Sequence, residues 1–116
     1  MKVINKEILK DVLGHILKVM EEEKDYLIEL DGAMGDGDLG LTMTAGFKAV
    51  YEEINNIPSE DLGTILMKLG MKMNSVVPST MGTLISICFI KASKEAKGKT
   101  ELTIEDLSKM GRAAVN

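Results

Sequence analysis

Apolar residues recur at intervals of three and four along most of this chain, the spacing that places side chains on one face of an α-helix. The first such run extends from Ile8 to Met20 and follows Asn5, a residue type that caps helices. We expect this amphipathic helix to end between Glu21 and Lys24. A further apolar cluster, Tyr26 to Leu30, either extends it or forms a short helix, and stops where Asp31-Gly32 begins a glycine-rich loop.

Two further helices are predicted in the middle of the chain. Met43 to Ile54 carry apolar residues on one face and end at a turn. Ser59 is expected to cap the next helix, whose apolar positions run from Leu62 to Met73. Pro78 then disfavours helix at and before its own position, which predicts a second loop from Ser75 to Thr80.

The segment from Met81 to Ile90 is apolar on nearly all sides. Such a pattern is typical of a central helix surrounded by other helices. Within it, Cys88 is expected to be a small buried apolar residue, since a free cysteine usually packs as one.

The last predicted helix has a recognisable start. Thr103 and Asp106 have the spacing of a capping box, and Leu102 is placed to pack on Leu107. No closing glycine or turn follows before Asn116, so we expect the chain to stop within this helix.

Composition narrows the class of protein. The 116 residues are 45% hydrophobic but only 3% aromatic, with 9 methionines, which favours one all-α domain over residues 1–116. The 14 Lys and Arg are dispersed among 18 Asp and Glu, so no basic patch for nucleic acid is expected. A single cysteine, no signal-peptide pattern and no apolar run long enough to cross a bilayer favour a cytoplasmic protein without membrane contact.

The segment 31–40 contains three aspartates and four glycines. Asp36 and Asp38 can direct two carboxylates to one point, and Asp31 can reach it from the preceding helix. Clustered carboxylates repel one another unless a cation lies between them, and Mg²⁺ takes such oxygen ligands and shares them with phosphates. A solvated Asp-Gly turn is an equally weighted alternative. An EF-hand does not fit, because counting from Asp31 or Asp36 puts no Glu at the last ligand position.

A second chemical feature is the loop Pro78 to Gly82, which opens the apolar helix. Unpaired backbone N–H groups at a helix N-terminus form a natural phosphate site. If this end faces the aspartates, metal and helix dipole would bracket a polyphosphate. The alternative is that Ser79 or Thr80 is an ordinary N-cap, which is the more frequent explanation for such a residue.

The two loops together carry a family resemblance. Leu30-Asp31 followed by Gly35 to Met43 resembles the Gly-Asp-(Gly or Ala)-Asp-His-Gly-x-Asn-Met signature of the nucleotide-binding subunit of dihydroxyacetone kinases. Ser75 to Leu84 lies where that family has a Ser-x-Gly-Gly-(Ala or Thr)-Ser-Gly-Pro-Leu loop. Further matches lie at Gly46-Phe47, Asp61-Leu62-Gly63 and Gly70-Met71. The family fold is a barrel of eight antiparallel helices, and the resemblance implies that this chain forms its first half.

The same resemblance implies a kinase subunit that binds ADP or ATP. Asp31, Asp36 and Asp38 match the aspartates that hold two Mg²⁺ ions in the family. Phosphate and nucleotide contacts transfer to a set of residues in both loops, namely Leu39, Gly40, Thr42, Ser79, Thr80, Met81 and Gly82. No side chain is expected to act as a catalytic base or nucleophile, since phosphoryl transfer needs mainly positioning and charge neutralisation.

Partners are implied as well. In the family a separate subunit holds dihydroxyacetone, and in bacterial versions a phosphohistidine carrier protein recharges the bound ADP. A half-barrel also exposes an apolar face that a second chain could cover, which makes a homo-oligomer one expectation.

Three departures from the family pattern keep other functions open. Leu39 replaces the family histidine, Thr42 replaces its asparagine, and the second loop has Pro78-Ser79 and Met81 where Gly-Gly and Ser are usual. The Leu39 and Met81 side chains donate no hydrogen bond. The alternatives are therefore a non-catalytic binding or regulatory module, a domain of the fatty-acid-kinase type, and a structural fragment that binds neither metal nor nucleotide.

Overall fold

The computed structural model describes residues 3–34 and 39–116, which form five α-helices. These are α1 (Lys6–Met34), α2 (Leu39–Glu53), α3 (Leu62–Val76), α4 (Thr80–Ala96) and α5 (Ile104–Val115), with a 3₁₀ turn at Ile54–Asn56. The predicted all-α class is confirmed. None of the helices in the described part of the chain is both long and apolar enough to span a membrane.

Consecutive helices run antiparallel and approach closely at glycines. A Cβ atom at Gly14 would lie 3.0 Å from the ring of Tyr51, near opposite ends of α1 and α2. A Cβ atom at Gly63 would lie 2.5 Å from Cα of Lys97, which brings the start of α3 against the end of α4. Because glycine has no side chain, Gly63 lets the backbones of α3 and of the end of α4 come close together, whereas Gly14 leaves room for the ring of Tyr51.

The hydrophobic core is built mainly by α2 and α3. Its members are at most 9% exposed and are joined at the edges by partly buried residues of α1, α4 and α5. The core consists of Leu13, Phe47, Val50, Ile54, Ile57, Leu62, Ile65, Leu66, Leu69, Met73, Val77, Ala96 and Leu102. Since α1 contributes only Leu13 to this set, α2 and α3 are the central elements.

The prediction that the first helix ends between Glu21 and Lys24 is wrong, because the helix extends further. Its 29 residues form one element to Met34, so the alternative of an extended helix is correct. Glu, Lys and Leu are good helix formers, and the charged run from Glu21 to Asp25 therefore continues the helix at its solvent face. The predicted cap is confirmed: Oδ1 of Asn5 accepts a hydrogen bond from the amide of Ile8 at 3.0 Å.

The start of α3 corrects the expectation that Ser59 is its cap. Asp61 caps the helix, accepting from the amide of Gly63 at 3.2 Å and the hydroxyl of Thr64 at 2.8 Å. Its carboxylate also accepts from the amide of Gly98 at 2.8 Å, which ties the end of α4 to the start of α3. These hydrogen bonds lower the pKa of Asp61, and the bond from Thr64 has the largest effect. Ser59 instead accepts from the amide of Asp61.

The prediction that α4 is enclosed on all sides is also wrong. Ser86 is buried, but Leu84 is 54% exposed, Ile87 is 42% exposed, and Cys88 is exposed rather than buried. α3 and α5 pack along two sides of α4, and no described element covers the face that carries Leu84 and Ile87. The apolar sequence pattern therefore describes a helix with one open apolar face.

The start of α5 agrees with the prediction. Thr103 is the N-cap, and Thr103 and Asp106 form the expected capping box. Leu102 is buried and lines the same small cavity as Leu107, and the contact between them stays a prediction.

The beginning of the chain is joined to the segment before α5. Ile4 and Leu102 form an isolated antiparallel bridge with N–H···O distances of 2.8 and 2.7 Å. Nearby, the ammonium group of Lys6 donates to the carbonyl of Ile57 at 2.5 Å. This bridge therefore closes the bundle on the side away from the two loops singled out by the sequence.

Candidate functional site

The two predicted loops lie toward the same end of the bundle. α2 begins after the first loop, and α3 ends at the second, so their antiparallel packing brings both junctions to one end. Val77, which follows α3, lies 3.3 Å from the Cβ position of Gly46 on α2. Gly46 is seven residues after Leu39, so the two junctions are separated by about 10 Å along α2.

Asp31 lies in the last turn of α1, in agreement with the expectation that it comes from the preceding helix, and the helix continues past the position where the glycine-rich loop was expected to begin. Its Oδ2 atom accepts a hydrogen bond from the amide of Leu39, the first residue of α2, at 3.3 Å. The last turn of α1 contains no basic residue, although the C-terminal end of a helix favours positive charge. A partly exposed carboxylate at this position suits a bound cation.

The other two predicted metal ligands, Asp36 and Asp38, lie outside the described residues. Among the residues that are described, no group of three His, Cys, Asp or Glu side chains is arranged to hold a metal ion. Since that range includes only one of the three predicted ligands, the set Asp31, Asp36 and Asp38 stays a prediction.

The predicted contacts Leu39, Gly40 and Thr42 form the first turn of α2. Leu39 and Thr42 are partly buried. Gly40 is buried against α1, where an added Cβ would lie 2.9 Å from the side chain of Ile28 and still closer to the carbonyl of Lys24. Gly40 thus has a packing role. The backbone amides of this first turn have no hydrogen-bond partners within the helix.

The second loop is shorter than predicted, because Ser75 and Val76 belong to α3 and Thr80 begins α4. Ser79 is the N-cap of α4, and its hydroxyl accepts from the amide of Gly82 at 3.1 Å. This geometry is the ordinary capping interaction considered as the alternative.

The remaining predicted contacts occupy the first turn of α4. Thr80 is exposed, Met81 is 41% exposed, and their amides belong to the unpaired set at a helix start. Gly82 is buried, and an added Cβ would lie 2.7 Å from Cγ2 of Val77. The turn therefore packs directly on Val77, while its first amides point out of the end of the helix.

One polar pair beside this turn was not predicted. The hydroxyl of Thr83 donates to Oδ1 of Asn74 at 3.4 Å, joining the last turn of α3 to the first turn of α4. The two residues are nine apart with a proline between them, and no local sequence pattern indicates such a contact.

A separate cavity of about 660 Å³ lies between α3 and α4 at the other end of the bundle. It is lined mainly by apolar atoms, including Met67 and Met71, with Lys68, Lys94 and Lys97 at its edge. None of the predicted site residues lines it. The candidate site is therefore placed, on the chemistry of its residues, where α1 ends and where α2 and α4 begin.

Comparison with known proteins gives a consistent result. A family model described as the DAK2 domain matches residues 33–116. The ADP-binding subunit DhaL of a PEP-dependent dihydroxyacetone kinase from Listeria innocua is 37% identical over 111 residues, which cover 88% of this chain and 51% of that protein. The corresponding subunit from Escherichia coli is 37% identical over 94 residues, or 81% of this chain and 45% of that protein.

A third relative extends the comparison to a differently named system. The ADP-binding subunit DhaL of a PTS-dependent dihydroxyacetone kinase from Lactococcus lactis is 32% identical over 109 residues, covering 89% of this chain and 57% of that protein. The chain thus spans about half the length of the curated relatives it matches.

Proposed function

Because this chain belongs to the DAK2 domain family, we propose that it binds ADP or ATP with Mg²⁺ at the end of the bundle where α2 and α4 begin. In this proposal it acts as the nucleotide-binding component of a dihydroxyacetone kinase. The similarity to subunits that are themselves named ADP-binding supports the ligand.

The observation that carries the proposal is the arrangement of Asp31 and two helix starts at one end. Asp31 supplies a carboxylate at the C-terminal end of α1, next to the first amide of α2. The amides of Thr80 and Met81 begin α4 at the same end. Helix N-termini attract phosphate, and a carboxylate attracts the cation that accompanies it.

The metal would be held by Asp31, Asp36 and Asp38. When bound, Mg²⁺ neutralises charge on the phosphates and orients them. The protein then positions the terminal phosphate through its helix amides, and none of its side chains needs to act as a nucleophile.

Phosphoryl transfer is proposed to occur to a ketose held by a separate subunit. The PEP- and PTS-dependence in the relatives' names favours a phosphohistidine carrier protein as the source of the phosphate. In that case ADP would stay bound and be recharged in place.

The first test is calorimetric titration of ADP into the protein with Mg²⁺ and then with excess chelator. We expect saturable binding that requires Mg²⁺ and weakens at least tenfold in Asp31→Asn and Asp36→Asn. Asp11→Asn is the matched control, because Asp11 is an exposed aspartate near the other end of α1.

Two results would count against the proposed function. Equal ADP affinity with and without chelator would exclude the metal-dependent site. Equal loss of ADP affinity in Asp11→Asn and Asp31→Asn would show that removing any negative charge from α1 weakens binding. Asp31 would then not act by coordinating the metal.

A second candidate is a binding module without phosphoryl transfer. It is favoured by Leu39, which begins α2 without a side-chain donor, and by Met81, which projects into solvent from the start of α4. Transfer assays with a dihydroxyacetone-binding subunit distinguish the two functions. Transfer gained only in Leu39→His, with ADP affinity unchanged, would assign the natural chain to the binding module.

A further inference from the structure

Val77, the residue that follows α3, lies between the two helices whose first turns form the candidate site. Its side chain is 9% exposed and belongs to the hydrophobic core. The methyl group Cγ2 lies 3.3 Å from the Cβ position of Gly46 on α2 and 2.7 Å from the Cβ position of Gly82 on α4. A single methyl group therefore lies against both helices.

Neither of these contacts involves a flexible side chain on the helix. Gly46 and Gly82 are buried, and as glycines they present only backbone atoms to Val77. The backbone of Val77 is itself held, since its amide donates to the carbonyl of Met73 at 2.9 Å. Backbone atoms of a packed helix cannot rotate away as a side chain can. The size of the Val77 side chain therefore sets how far apart α2 and α4 lie at this point.

This distance bears on the candidate site because the two helices supply different parts of it. α2 begins at Leu39, whose amide donates to the carboxylate of Asp31. α4 begins at Thr80, two residues before Gly82, and its first amides are suited to bind phosphate. A change in the distance between the helices therefore moves these amides relative to the carboxylate of Asp31.

We propose that Val77 is a positioning residue of the nucleotide site. Its side chain sets the distance between α2 and the first turn of α4, and thereby the fit of the site to a nucleoside diphosphate. The inference rests on the proposed function and adds a residue that acts through the backbone of its neighbours. The contacts that carry it all lie within residues 46–82, so they hold whatever else packs on the bundle.

The polar pair across the same junction has a smaller effect. The hydroxyl of Thr83 donates to Asn74 at 3.4 Å, which is long for a hydroxyl donor, and Asn74 is exposed. Water can replace an exposed hydrogen bond at little cost. Thr83→Val should therefore change ADP affinity less than truncation of Val77 does.

Two identical truncations test the proposal. Val77→Ala removes the methyl group that lies between the helices, and Val50→Ala makes the same change at a fully buried core position of α2. Val50 is about 16 Å along α2 from Leu39. We expect Val50→Ala to lower Tm at least as much as Val77→Ala and to bind ADP with Mg²⁺ unchanged. Val77→Ala should weaken that binding about tenfold, the effect of impairing one charge-assisted hydrogen bond.

Val77→Thr separates the shape of the side chain from the stability of the fold. Threonine has the branched shape of valine but places a hydroxyl group in an apolar site, which costs stability. We expect this variant to unfold at a lower temperature than the natural chain and to keep its ADP affinity. Affinity that instead falls in step with Tm in all three variants would show a purely structural role.

Amide hydrogen exchange measures the same turn in the absence of nucleotide. The amides of Gly82 and Thr83 donate to the hydroxyl and the carbonyl of Ser79, and these hydrogen bonds slow their exchange. Exchange at both amides should be faster in Val77→Ala than in Val50→Ala, although both variants are destabilised.

Three results would overturn the positioning role. They are equal ADP affinity in Val77→Ala and the natural chain, equal exchange at Gly82 and Thr83 in the two alanine variants, and a larger loss of affinity in Thr83→Val than in Val77→Ala. Failure of the proposed function is distinct, because then the natural chain itself binds no ADP. The role of Val77 in nucleotide binding would fail with it, and faster exchange in Val77→Ala would show only that Val77 holds the turn.

Discussion

Among the described residues, Asp106 is the acid whose pKa departs furthest from its ordinary value. It forms an ion pair with Lys99 and accepts from the amide of Thr103 at 2.9 Å. The hydrogen bond from Lys99, followed by that from Thr103, lowers the pKa of Asp106 to about 2. Asp106 thus joins the turn after α4 to the first turn of α5.

The lowered pKa gives a prediction for Asp106→Asn. A folded pKa below the unfolded value of about 3.9 stabilises the protein above that pH, and this stabilisation is lost as the pH falls toward about 2. We expect the variant to be less stable than the natural chain at neutral pH and the difference to shrink on acidification. Urea unfolding at a series of pH values measures it, with Glu105→Gln as an exposed neighbouring control. A difference that does not change with pH would contradict the assignment.

Individual residues show which caps can be predicted from sequence. The capping box of Thr103 and Asp106 is local, with both partners inside four residues, and the prediction was correct. Lys99 reaches Asp106 across a turn, which sequence spacing does not indicate. Two cap-forming residues, Ser59 and Asp61, compete before α3, and the one that also binds Gly98 of a distant segment is the cap.

The junction between α3 and α4 is the element whose packing bears most on the candidate site. Gly82→Ala would force its Cβ against Val77, and overpacking of this kind typically costs about 1–3 kcal/mol. We expect loss of stability and weaker ADP binding together, because the first turn of α4 must shift. Thermal unfolding and calorimetry measure the two effects.

Gly111→Ala is the matched helical control for that substitution. An added Cβ at Gly111 meets no atom within 4 Å. Because glycine inside a helix is less favourable than alanine, the control should gain about 0.5–1 kcal/mol and bind ADP unchanged. Equal effects of the two substitutions would show that the contact of Gly82 with Val77 is not tight.

At the level of elements, the sequence predicts which segments are helical better than where they end or what covers them. The end of α1 was misplaced because a charged run is equally compatible with a helix end and with an exposed helix face. The burial of α4 was overestimated because an apolar sequence does not state whether a neighbour is present on every side. Both features depend on tertiary contacts.

The whole molecule should respond to its proposed ligand. A ligand at about 100 times its dissociation constant adds about 2.7 kcal/mol to the stability of the folded state, which for a domain of this size raises Tm by on the order of 10 °C. We expect this rise with ADP and Mg²⁺ together. Excess chelator should remove it, and a rise that survives chelation would place the nucleotide outside the metal site.

The overall arrangement was predictable only in part. The all-α class follows from helical periodicity, and the family from two loops with their spacing. Antiparallel packing then brings those loops to one end. The metal ligands stay a prediction, since Asp36 and Asp38 lie outside the described residues and Asp31 alone does not define a coordination geometry.

The bridge between Ile4 and Leu102 has a consequence for the order of folding. The helical hairpins α1–α2 and α3–α4 close short loops and can form from local contacts. The bridge joins positions far apart in the sequence, and because closing so long a loop costs entropy we expect it to form after both hairpins have docked. Its two hydrogen bonds are exchanged between the same two residues, and losing either segment breaks both. We therefore expect the start of α1 and the segment before α5 to open and close as one cooperative unit.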